Sequence, residues 1–204
     1  MAEINPNARL EAFSDGVFAI ALTLLVLDIK LPPTDAIRTT SDFWAALGHL
    51  VPSIIAFLLS FIIILITWVN HHGAFQLVAG SSTSTIYANG FLLLTTVFLP
   101  FPTALVGQYV LTDHAAPAVV LYDGLGVLQS IAWLWLVHAA LRNRLAKNER
   151  AEQRMRETVR YGNFGLMFYS LCTVLAFWFP LAIAIVTLLS WIGWLIVGMT
   201  IKGE

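Results

Sequence analysis

The sequence predicts an all-α integral membrane protein with six transmembrane helices per subunit, and three observations lead there. Of its 204 residues, 58% are hydrophobic and only 11% charged, with a mean hydropathy of +0.79, whereas soluble domains carry roughly 25% charged residues. Apolar runs near 12–31, 47–69, 86–107, 118–141, 161–179 and 181–201 each approach the length of about 20 residues that crosses a bilayer core. Seven of the eleven Lys and Arg residues crowd between Arg142 and Arg160, and such a cluster is retained in the cytoplasm.

The elements follow in order. The opening "MAEINPNARL" has no basic n-region and no small-residue cleavage site, and the apolar stretch after it is too long for a signal peptide, so the first span is expected to stay in the mature protein. In that span Phe13, Gly16, Ile20, Thr23, Leu24, Leu27 and Leu31 fall on one face at 100° per residue. On composition alone this stripe reads as a packing face, with Thr23 bonded to a carbonyl of the preceding turn. Asp28 and Lys30 mark its outer end, as interfacial residues or, for Asp28, as a group that concentrates cations at a mouth.

The second span ends in Trp68, Asn70, His71 and His72, and the third begins with Ser84, Thr85 and Asn89. Asp123, early in the fourth, is expected near the outer interface. The basic stretch "RNRLAKNERAEQRMRETVR" interleaves Glu149, Glu152 and Glu157 with arginines at neighbouring-turn spacing, which predicts a helix extending span four or five into the cytosol. Its mixed charges fit a topology signal and a solvated face rather than a nucleic-acid surface. Phe179-Pro180 separates the last two spans as a tight hairpin. Cys172 is the only cysteine, which excludes an intrachain disulfide and a CxxC site and reads as a buried thiol. The chain is thus expected to be one domain, 1–204, in the cell membrane, multi-pass, with both termini cytoplasmic.

Asp15 raises the sharpest question. An ionised group in a membrane helix costs roughly 2.5 to 3.5 kcal/mol even on insertion scales, so it is usually paired and often functional. Arg9, Ser14, Asp15, Trp68, Asn70, His71, His72 and Asn89 all fall at comparable depth and are candidates for an interhelical hydrogen-bond network. A metal site of Asp15, His71 and His72 fits less well, because adjacent histidines diverge by about 100° on a helix. A proton relay through Asp15 and the histidines is the third reading. Nothing in the chain calls for a cofactor, and no agreeing set of nucleophile, base and metal ligands suggests an enzyme.

Arg9-x-x-x-Phe13-Ser14-Asp15, followed by an Ile/Leu/Thr helix ending at Pro32, resembles the signature of the transmembrane protein 175 family of potassium channels. "SFIIILITWVNHH" (Ser60 to His72) and "NGFLLLTTVFLPF" (Asn89 to Phe101) resemble the family's second and third helices. The resemblance implies a homotetramer of six-helix subunits whose first helices line a central pore without a TVGYG-type filter. By position after Phe13-Ser14-Asp15, it implies aliphatic constrictions at Ile20, Leu24 and Leu27 and a hydroxyl layer linked to potassium preference at Thr23. Potassium would be the permeant ion, and apolar rings gate by dewetting.

Overall fold

The structure is a computed structural model describing residues 6–30 and 32–201, with side chains described for all of these except residues 36 and 195–201. Leu31, placed on the stripe of the first span, lies outside the described residues. The described chain is helical almost throughout, in keeping with the predicted class: α1 (Ala8–Leu24), α2 (Thr40–His49), α3 (Val51–Gln76), α4 (Thr83–Phe98), α5 (Pro100–Tyr109), α6 (Ala115–Arg142), α7 (Glu149–Leu175) and α8 (Pro180–Ile201).

Among the described residues, four stretches are long and apolar enough to cross a membrane by length and composition: Ala8–Asp28, Val51–Gln76, Thr83–Tyr109 and Ala115–Arg142. The first three depart from their predicted runs for local reasons. α1 tightens after Leu24 into a 3₁₀ turn, Leu25–Asp28, and Ile29 is extended, so the first span ends short of 31 as the chain approaches Pro32-Pro33. α3 runs to Gln76 instead of 69, because Trp68 to His72 are held inside the helix by neighbours on α1 and α4. The third run is two helices: Pro100 supplies no amide proton, and the hydroxyls of Thr95 and Thr96 turn back to the Leu92 carbonyl one turn earlier. The short α2 was not foreseen; Thr39 and Asp42 form a capping box that starts it.

α1 packs mainly against α3 and α4, while α6 pairs most closely with α7. Small residues set these distances. A methyl group on Gly107 would lie 2.8 Å from the Ser53 Cα, and one on Gly126 would lie 3.0 Å from the Tyr169 ring, so α3–α5 and α6–α7 approach as only glycine permits. The predicted basic helix is the first half of α7, with an unbroken backbone into the apolar half. The α6–α7 connection is tied to the α3–α4 connection by a bridge between Val78 and Ala146, with Ala79 N donating to Leu145 O at 2.8 Å and Lys147 N to Leu77 O at 3.0 Å.

Candidate functional site

α1 presents two different faces. Ser14, Phe18, Ala21 and Leu25 are buried against α3 and α4, Phe18 to 1% and Ala21 and Leu25 to 0% exposure. On the other side Phe13, Ile20 and Leu27 are 63%, 58% and 64% exposed, and Gly16, Thr23 and Leu24 are also open. The subunit leaves the stripe uncovered. Leu27 stays on it because the 3₁₀ turn has three residues per turn, which sets Leu27 over Leu24. The Thr23 hydroxyl donates to the Ile20 carbonyl at 2.8 Å, as a helix-interior threonine does, and its oxygen keeps lone pairs free to accept or to coordinate.

Beneath the stripe the polar side chains form two sets. In the buried set, Asn89 Nδ2 on α4 donates to Ser14 Oγ on α1 at 3.0 Å, and Ser14 Oγ donates to the Leu10 carbonyl at 2.9 Å. His71 Nε2 on α3 lies 2.7 Å from Asn89 Oδ1; an amide oxygen only accepts, so Nε2 is the donor. A directed chain of hydrogen bonds therefore links three helices. The His71 ring is boxed between Phe18, edge-on at 5.3 Å between centroids, and Phe75 at 4.5 Å. The second set lies at the surface: Trp68 Nε1 donates to Asp15 Oδ1 at 2.7 Å, and both side chains are exposed in the subunit. Asp15 is thus a surface carboxylate, where its place in an apolar helix suggested burial; Ser14, its neighbour, is the buried member.

Other predicted members stand apart. His72 bonds to Gln76 in its own helix at 2.9 Å and stacks on Trp68. Arg9 and Asn70 are exposed and make no side-chain hydrogen bond among the described residues. Arg9 instead continues the open face of α1 by one turn below Phe13. No group of three or more His, Cys, Asp or Glu side chains is placed to hold a metal among the described residues.

Sequence reasoning missed Phe18 and Phe75, although each follows a network residue, Ser14 or His71, by four positions and so shares its helix face. It also missed a polar layer deeper in the bundle. Gln129 donates to Thr67 at 2.8 Å, and Ser60 lies 2.6 Å from Thr103 and 3.2 Å from Tyr122. Asp123, expected near the outer interface, is 1% exposed and accepts from Thr187 of α8 at 2.8 Å. The packing of α8 over α6 explains the difference, since it covers this face of α6.

Comparison with known proteins identifies the family. Residues 9–100 match the family described as the endosomal/lysosomal potassium channel TMEM175. A "Potassium channel" of Chamaesiphon minutus is 41% identical over 177 residues, 86% of each chain. A crystal structure of a lysosomal potassium-selective channel TMEM175 homolog from the same organism superposes with a TM-score of 0.85 at 36% identity, covering 94% of this chain and 97% of that one. The zebrafish (Danio rerio) "Endosomal/lysosomal proton channel TMEM175" is 42% identical over 72 residues, 33% of this chain and 14% of that protein. This chain belongs to the TMEM175 potassium channel family, a family of multi-pass membrane ion channels and not of enzymes.

Proposed function

We propose that the chain is one six-helix unit, residues 1–204, of a homotetrameric potassium-permeable channel in the cell membrane, with both termini cytoplasmic and α1 lining a central pore. The observation that carries this reading is the two-faced α1: its buried side packs into the subunit, and its open side aligns Ile20, Thr23, Leu24 and Leu27 along one stripe. Four copies of that stripe around an axis make stacked apolar rings that exclude water when narrow, and a hydroxyl ring at Thr23 whose free lone pairs replace part of the hydration shell of a cation. α7 and the apolar α8 complete the six spans. The basic start of α7 sets the orientation. Purified protein in a planar bilayer, with potassium on one side and sodium on the other, should show unitary steps and a reversal potential displaced toward potassium. Thr23→Val, which keeps the shape and removes the hydroxyl, should move that potential toward zero; an unmoved potential would place selectivity elsewhere.

A second reading, proton-coupled transport or proton conduction through Asp15 and His71 or His72, draws support from the relatives whose names describe proton channels. The geometry supports it less. Asp15 is engaged by Trp68, His71 by Asn89 and His72 by Gln76, so a relay must first break these separate bonds. Liposome flux driven by a pH gradient, with potassium absent, separates the two readings.

A further inference from the structure

α7 carries a continuous change of chemistry along one side. At 100° per residue Phe164, Met167 and Leu171 share a face, all well exposed, and Tyr161 extends it toward the helix start. Between one and four turns before Phe164 the same side bears Arg160, Arg156 and Arg150, all exposed, with the exposed Glu157 and Glu149 among them. The opposite side, Ala151, Met155, Gly165, Tyr169 and Cys172, is buried. Apolar side chains thus give way to aromatic and then to charged, predominantly cationic ones without a break in the helix, which is the order of layers from hydrocarbon through interface to headgroups.

The cations are not consumed within the subunit. Arg156 pairs with Glu152 at 2.7 Å, but among the described residues Arg144, Lys147, Arg150, Arg154 and Arg160 make no ion pair and no side-chain hydrogen bond. The connection from α6 supplies an independent sign. Leu145 N bonds to Ala140 O and Arg144 N to Leu141 O, both at 3.0 Å, the two bonds of a helix-ending motif whose left-handed residue is usually glycine. Here that residue is Arg144, at φ 53°. A cation occupies a backbone position where glycine costs less, and the backbone ties at Leu145 and Lys147 fix where the connection sits.

We propose that this face, from Arg144 through Arg160, binds the phosphate groups of anionic phospholipids, with Tyr161 and Phe164 seated at the interface beside them. Charge complementarity and continuity with the apolar face select a lipid over a soluble anion, and the inference extends the membrane reading without depending on which ion is conducted. Each basic side chain close to an anionic surface strengthens binding about fivefold. The test is native mass spectrometry of the full-length oligomer in detergent, titrated with phosphatidylglycerol and separately with phosphatidylcholine. Wild type should bind phosphatidylglycerol preferentially, and the combined Arg144→Gln, Arg150→Gln, Arg160→Gln variant should lose that preference by on the order of a hundredfold. Arg38→Gln, in the connection before α2, should leave it intact. Size-exclusion elution of the variants verifies assembly, and since glutamine is tolerated at exposed positions, Arg150→Gln and Arg160→Gln alone provide intermediate steps. Equal phosphatidylglycerol binding by wild type and the triple variant, or an equal loss in Arg38→Gln, overturns the proposal.

Discussion

The polar side chains between α1, α3 and α4 close on one another, whereas those between α6 and α8 do not. Ser14, Asn89 and His71 form a directed chain that ends on a backbone carbonyl. Asp123, equally buried, receives one bond from Thr187, and its second oxygen has no hydrogen-bond partner among the described residues; neither has the buried Trp191 Nε1. Both side chains line a cavity of about 30 Å³ together with Tyr122 and Thr187. Buried polar networks rigidify when fully satisfied and contribute little when partly satisfied. The closed network holds the helix that carries the open stripe, and the unclosed one joins α6 to α8, which reach that helix through the apolar contacts of Tyr122, Leu125 and Trp191.

This contrast is sharpest at Asn89. Asn89→Ala leaves Ser14 and His71 without their Asn89 partner in a buried site, each at about 1 to 3 kcal/mol, so thermal unfolding of the purified protein should show the largest loss, about 2 to 6 kcal/mol. At the surface pair the effect is smaller. Asp15→Ala should cost about 1 kcal/mol by freeing the Trp68 N–H, and Asp15→Asn, which keeps an acceptor, less than that. An anchor gives this order in stability and oligomer yield; a relay would instead leave both variants assembled and both deficient in proton-coupled transport. The smallest change is expected at Asp123→Leu. Replacing a half-satisfied buried carboxylate by an apolar side chain of similar size is often neutral or stabilising, and Thr187 can turn to the carbonyl of Ile183 in its own helix. A loss at Asp123→Leu as large as at Asn89→Ala would remove the distinction between the two regions.

Much of the architecture was legible because its causes are local. Apolar length marked the four stretches able to cross a membrane among the described residues, and the run of arginines marked the start of α7. The stripe from Phe13 to Leu27 followed from helical period. What escaped was set by tertiary contact. The chain names Ser14, Asn89 and His71 as polar residues at one depth, yet only the packing of three helices decides that Ser14 turns inward while Asp15 stays outside with Trp68. Asp123 was misplaced because nothing local announces that α8 covers it. The 3₁₀ ending of α1 was missed for a related reason: a constant 100° rotation does not foresee the tighter turn over Leu25–Asp28.

The claim that the open face of α1 lines the conduction path is put to the test by Ile20→Asn. Ile20 is 58% exposed on that face, so an amide there changes the open face while leaving the buried side of α1 untouched. Single-channel recording of assembled Ile20→Asn protein in a planar bilayer should give a higher unitary conductance than wild type, because a polar ring wets a constriction that an aliphatic one keeps dry. The same unitary conductance in wild type and variant would contradict the claim.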